Sequence, residues 1–362
     1  MKKLLCFLLT VTVICCLTFT ASCKNNQNSE NSSSEQDEPI ISSKVILFIG
    51  DGMGENHIAN TQLYYGEDMY FTGFETKVMV DTTSLSGVTD SAAGATAMAT
   101  GSRTKNGYLA VDADENALTS ITELAKQNRL GAGVVSSELI TDATPAGFSS
   151  HAISRNNYAE ILISQKDSEL DLLLGRCDYK HSKLSNLFTD KGFTYVDVYS
   201  ELNVNTPRIV AGFSEIMPLD NSDEVPSLTQ LAVFAVEYME KNYPDGYFLM
   251  IEGAKIDDAS HDKNLQFMMQ NLYDFNNAVK AVDQMLTDNY SIIVTADHET
   301  GDLKLASSKE QLTDALFLSD GHTGVNVPLY FRTSLSNLPE MLNAEVILNT
   351  QIFDLSKLLL MI

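Results

Sequence analysis

The segment KVILFIGDGMG (44–54) decides the fold. Val45 to Ile49 is an unbroken apolar run with no polar alternation, and a glycine turn follows it at once. A strand with one wet face alternates, whereas a run of this kind is buried on both faces. GAGVVSS (131–137), YFLMIEG (247–253) and SIIVTAD (291–297) repeat the pattern. Helical stretches lie between them, for example 117–129 and 264–288. In the second, Leu265, Met268, Leu272, Phe275, Val279, Val282 and Leu286 recur at three- and four-residue steps, as a core-facing stripe does. This order predicts an α/β fold, a three-layer α/β/α sandwich around a mostly parallel central sheet. The segment 178–226 has weaker periodicity and is expected to be connecting or peripheral structure. Ligands of such sheets sit beyond the carboxyl ends of the strands. The residues that follow the four runs are therefore the first to read for chemistry.

Composition narrows the function. The chain has 362 residues with 48 acidic and 24 basic side chains, a formal charge of −24. Nucleic acid is not expected as a partner, because phosphate backbones need a basic face. A phosphate-bearing ligand must instead be drawn in locally, by metal ions. With 44% apolar residues the chain can bury a large core.

The first residues read as an address. Met1-Lys2-Lys3 precedes an apolar run from Leu4 to Thr20, short of the ~20 residues a spanning helix needs. Thr20-Ala21-Ser22-Cys23 has the small residues of a lipobox, with Thr20 where leucine is usual. Residues 1–22 are expected to be a lipoprotein signal peptide, with Cys23 lipidated, and 23–43 a polar tether. The rest, 44–362, is expected to be a single catalytic domain, exported and lipid-anchored in the bacterial cell envelope on its periplasmic or surface face. Four of the five cysteines lie in the first 23 residues and only Cys177 lies in the body, so no internal disulfide is expected there.

Four strand ends carry polar clusters. Gly50-Asp51-Gly52 projects a carboxylate from a sharp turn; a nucleotide loop would not place a negative charge there. Thr89-Asp90-Ser91 opens the small-residue run AAGATAMATG. Ser91 at a helix start reads either as an N-cap or as a nucleophile whose phosphoryl adduct rests on the helix dipole. Asp257 and His261 are four apart, share one helical face, and follow a run that ends in Glu252. Asp297-His298-Glu299 ends the last run, and Gly321-His322-Thr323-Gly324 precedes a further apolar stretch. His57 and His181 read as surface residues, and His151 has no clear reading. Mixed His and Asp donors without cysteine suit catalytic zinc, while Glu, Asp and Thr oxygens suit magnesium.

Taken together, IGDGMG, TDSAAGATAMATG, TDATPAGFSSH, IEGAKIDDASH, TADHETG and GHTG resemble the alkaline phosphatase family, in family order from about Lys44 to Leu355. The resemblance implies hydrolysis of phosphate monoesters with Ser91 as nucleophile and two zinc ions plus one magnesium ion. Asp257, His261 and His322 would hold the first zinc, and Asp51, Asp297 and His298 the second. Asp51 would also reach magnesium, which Thr144 and Glu252 complete. Arg155 matches the guanidinium that clamps phosphate oxygens, and Asp142 and Asp258 would stand just behind the ligands. Small phosphomonoesters are the expected partners, with the membrane reached through the lipid anchor; monomer and homodimer both stay open. The competing readings are a phosphodiesterase or sulfatase-like member of the same superfamily and a non-catalytic metal- or phosphate-binding lipoprotein.

Overall fold

Ten strands form one sheet in the computed structural model, which describes residues 44–362 except 179, 180, 220, 221, 223 and 337 and, of 181–184, only the backbone. The expected signal peptide, Cys23 and the tether lie outside the described residues. The described residues form one compact unit. The strands are β1 (Lys44–Gly50), β2 (Thr76–Asp81), β3 (Gly131–Leu139), β4 (Leu172–Arg176), β5 (Thr194–Val196), β6 (Ile209–Phe213), β7 (Tyr247–Gly253), β8 (Tyr290–Thr295), the short β9 (Glu299–Thr300) and β10 (His322–Thr323), β11 (Val327–Thr333) and β12 (Val346–Leu348). The order across the main sheet is β12-β2-β11-β8-β1-β7-β3-β4-β6-β5. Only β11 runs against its neighbours, so the sheet is mostly parallel as expected. β9 and β10 pair separately.

The four runs that mark the fold are β1, β3, β7 and β8, and they sit side by side at the centre. All seven residues of β1 and of β7 are buried. Phe48 packs edge-on against Phe275 of one helical layer, and Phe248, on the other face, stacks with Phe148 of the second. Among the described residues no helix is long and apolar enough to cross a membrane.

The helices are α1 (Glu55–Tyr65), α2 (Ser91–Thr100), α3 (Ile121–Gln127), α4 (Ala143–Ser149), α5 (Tyr158–Asp167), α6 (His181–Thr189), α7 (Leu228–Asn242), α8 (Lys255–His261), α9 (Leu265–Met285) and α10 (Gln351–Leu360). Both expected helices are shorter than their periodicity. α3 starts after Ser120, whose hydroxyl accepts from Glu123 N while its own N–H donates to Glu123 Oε2. α9 starts after Asn264, which caps Phe267 N, and its whole apolar stripe is buried.

The segment 178–226 corrects the expectation of peripheral structure. It contributes β5 and β6 to the main sheet, and all five residues of β6 are buried. Ile209-Val210-Ala211-Gly212-Phe213 is too short a run to stand out beside its polar flanks.

Register delivers the site. Ile49 lies level with both Glu252 and Thr295, and Glu252 level with Ser136. The carboxyl ends of β1, β7 and β8 are thus flush, β3 runs a few residues past them, and the loops that leave these strands start from one edge.

Candidate active site

Ser91 is the first residue of α2. The cap in front of it is Asp90, whose Oδ1 accepts from Ala93 N at 3.0 Å, so the N-cap alternative for Ser91 shifts by one position. Its hydroxyl is left for chemistry, buried and 3.3 Å from His298 Nε2. The small residues of α2 have a packing cause. A Cβ on Gly147 of α4 would stand 2.8 Å from Ala95 Cβ, and one on Gly94 would meet Asp297 Cβ at 3.1 Å. The close approach of α2 to α4 and to the loop after β8 brings Ser91 to the carboxylates.

Donors from four stretches of chain converge there. The ligating atoms of Asp51, Asp297 and His298 lie within 4.8 Å of one another, as do those of Asp257, His298 and His322. His298 belongs to both groups. His261 joins the second, its Nε2 3.2 Å from Asp257 Oδ2 and 3.1 Å from His322 Nε2. Each of these two rings turns Nδ1 to an oxygen that can only accept: Asp320 O at 2.5 Å for His261 and Thr89 O at 2.9 Å for His322. Nδ1 therefore carries a proton in each ring, and both Nε2 atoms face the same space, each offering a lone pair there once its ring is neutral. Beside Asp51, Thr144 Oγ1 donates to Oδ2 at 3.3 Å, and Ser136 Oγ donates to Glu252 Oε2 at 2.5 Å.

This donor set fits cations. Asp51 Oδ1, Asp297 Oδ2 and Glu252 Oε1 are buried with no hydrogen-bond partner, an arrangement that costs free energy unless positive charge fills it. Burial, with the neighbouring carboxylates, holds Asp51 well above the usual carboxylate range. Burial likewise pushes Asp297 to about 7 and Glu252 to about 8, and drives His298 well below its ordinary value. Burial would raise Asp257 too, but its hydrogen bond from His261 and the field of His298 hold it below the usual range.

The glycine turn after β1 is what lets the groups meet. Gly52 has φ +71°, and a Cβ there would lie 2.7 Å from Asp257 Oδ1 and 2.9 Å from Thr300 Oγ1. Gly52→Ala is expected to cost about 1–2 kcal/mol from the backbone alone and to push Asp257 out of place. Lower thermal stability together with reduced metal content would show this; unchanged metal content would refute it.

The family model for alkaline phosphatase matches residues 42–191 and 180–339. Alkaline phosphatase 3 of Bacillus subtilis is 34% identical over 333 residues, covering 83% of this chain and 71% of the relative. The chain belongs to the alkaline phosphatase family. It is, accordingly, an enzyme that hydrolyses phosphate monoesters. Alkaline phosphatase of Escherichia fergusonii is 30% identical, covering 76% and 74% of the two chains. Among solved structures, alkaline phosphatase from the Antarctic bacterium TAB5 superposes with a TM-score of 0.77 at 28% identity, over 89% of this chain and 99% of that one.

Other residues expected at this phosphatase's site fall in two places. Arg155 stands at its mouth, 3.4 Å from Asp90 Oδ2 and 3.4 Å from Asp142 Oδ1. Burial opposes its charge, yet Asp142, Asp90 and Asp51 hold it protonated. Asp142 precedes α4 without capping it. Asp258 is placed differently from Asp257. Its side chain is 55% exposed and bonds Lys255 Nζ at 2.8 Å, because the next residue along a helix points about 100° away from Asp257. Its charge reaches the cluster through its field on His261.

His57 corrects the surface reading. It is fully buried in α1, accepting from Gly54 N at 3.2 Å on Nδ1 and meeting Ser260 Oγ at 3.2 Å through Nε2. Burial lowers its pKa to about 4, and the neutral ring ties the glycine turn to α8. The side chain of His181 lies outside the described residues. Two site residues went unread in the sequence. Thr300 Oγ1 donates to Asp257 Oδ1 and lies 3.2 Å from His298 Nδ1, linking Asp257 to the histidine both donor groups share. Ser136 lies on β3, level with Glu252. Their signal was position alone, near a carboxyl strand end.

Proposed function

We propose that the enzyme works through a phosphoserine at Ser91, with Asp257, His261 and His322 holding one zinc, Asp51, Asp297 and His298 a second, and Asp51, Thr144 and Glu252 a magnesium. The observation that carries this reading is the position of Ser91 Oγ, 3.3 Å from the one histidine shared by both donor groups and at the start of a helix. A solved variant of the TAB5 enzyme with Mg bound in its M3 site supports the magnesium part. Cations at these donors supply positive charge that favours an ionised serine and offsets charge on the phosphoryl oxygens.

The chain does the rest. Ser91 Oγ attacks phosphorus; the Oγ–P bond forms as the bond to the departing alcohol breaks, and that alcohol leaves with a proton. Water then attacks the phosphoserine, the Oγ–P bond breaks, and inorganic phosphate leaves with Ser91 restored. Arg155 presents a planar fork to two phosphoryl oxygens, and the first-turn amides of α2 face a third. Asp90 and Asp142 hold the fork charged and aimed.

Elemental analysis tests the ligand map. Two zinc and one magnesium per chain are expected, with Glu252→Gln losing magnesium while zinc stays. Loss of zinc in equal measure would contradict the assignment of Glu252. The export reading rests on the lipobox-like Thr20–Cys23 stretch and the polar segment behind it. On that reading Cys23→Ser leaves the protein unacylated and free of the membrane fraction; an unchanged membrane share would count against it.

A further inference from the structure

His151 is the one histidine that neither the donor groups nor α1 uses among those whose side chains are described. Its ring is held on both edges by atoms that only accept. Nδ1 is 2.9 Å from the Ala110 carbonyl oxygen, and Nε2 is 2.9 Å from Glu123 Oε1. Both bonds need an N–H, so the ring that makes them is the imidazolium. The hydrogen bond with Glu123 correspondingly lifts its pKa above the ordinary value, against partial burial. Glu123 is itself fixed, because its other oxygen accepts from Ser120 N at the start of α3.

The backbone beyond His151 leads to the phosphate clamp. Ala152 and Leu109 exchange hydrogen bonds in both directions, at 2.9 and 3.0 Å, and Arg155 N donates to Gly107 O at 2.8 Å. Segments 107–110 and 152–155 thus form a short ladder. The His151 ring closes one end of it and Arg155 stands at the other. The ladder is tied to the nucleophile's helix at two points. Thr96 Oγ1 donates to Tyr108 O at 3.0 Å and accepts from Ala110 N at 2.9 Å. Gly107 N donates at 2.9 Å to Asp90 Oδ2, the same oxygen that faces Arg155.

We infer that the His151–Glu123 ion pair is a latch that positions Arg155: by fixing this ladder against α2 and α3 it sets where the guanidinium stands relative to Ser91, and so sets phosphate affinity. His151 touches neither substrate nor reacting atoms, and the inference rests on the reading of Arg155 as the phosphate clamp.

The test is a double-mutant cycle read on inhibition by inorganic phosphate and on p-nitrophenyl phosphate turnover, with metal content matched. His151→Gln and Glu123→Gln are each expected to raise the phosphate inhibition constant and KM about 10-fold, with kcat changed less than about 3-fold. In an Arg155→Ala background His151→Gln should add nothing, because the latch acts through the guanidinium. If His151→Gln lowers thermal stability but leaves phosphate inhibition at the wild-type value, the latch is overturned. The same rise in the Arg155→Ala background overturns it too. If Arg155→Ala alone leaves phosphate inhibition unchanged, the clamp reading fails and takes the latch with it. Should His151→Gln not fold, the cycle is run with Glu123→Gln, whose amide keeps the shape and removes the charge.

Discussion

Ser91→Ala is expected to lower kcat by about 10³-fold or more, in line with the loss of a nucleophile, while the fold and the bound metals stay intact. The structure explains why so much rests on one oxygen. Ser91 is buried within hydrogen-bond reach of His298 Nε2, and its helix is capped by Asp90 rather than by its own hydroxyl. Removing the hydroxyl therefore breaks no cap. The carboxylates and histidines around it keep their contacts with one another. Residual turnover is expected from electrostatic stabilisation that survives. Steady-state rates on p-nitrophenyl phosphate, with circular dichroism and zinc content measured in parallel, check this. Activity within a few-fold of wild type would remove Ser91 from the mechanism.

Chelation is expected to have the second largest effect, on both activity and stability. Without cations the buried carboxylates face one another, and the folded protein answers by keeping protons. Asp297 lies at about 7 and Glu252 at about 8, both raised first by burial. A carboxyl whose folded pKa is raised binds more protons in the folded than in the unfolded state. Its stabilising contribution is present at low pH and is lost as pH rises through the folded value. His261, raised to about 9 chiefly by its bond with Asp257, acts in the same direction. His57, lowered to about 4 by burial, opposes this only below about 6.5, where an unfolded histidine takes up a proton. The clean window is pH 6.5 to 8.5. There the Tm of the metal-free protein should fall by roughly 5–10 °C. The loaded protein should hold its Tm or gain, because cation binding requires the deprotonated ligands. A metal-free Tm that is flat or rising across this window would contradict the site electrostatics.

The sequence carried the centre of the fold and most of the site for one physical reason. Strands buried on both faces are read from apolar runs, and their carboxyl ends are where chemistry collects. β1, β3, β7 and β8 are such strands, and Asp51, Glu252, Asp297 and His298 follow from them. What stayed hidden depended on packing between elements. β6 is as buried as β1 yet only five residues long, so its run was lost among polar neighbours. His57 lies on a helix face whose burial is set by α8 and the Gly54 turn, a contact no periodicity encodes. Asp258 stands one residue from Asp257 and still faces solvent, because a helix turns about 100° per residue. Thr300 acts through a hydrogen bond that appears only once β7 and β8 lie on either side of β1, and Ser136 through one that needs β3 beside β7.

The measurement that tests the central claim most directly is to trap the intermediate. The metal-loaded enzyme is mixed with excess phosphomonoester, quenched in acid during turnover, digested and examined by mass spectrometry. One phosphoryl group on Ser91, present in the wild-type protein and missing when substrate is withheld, is the predicted result. Rapid turnover with Ser91 unmodified, or phosphate on a different residue, would contradict the account.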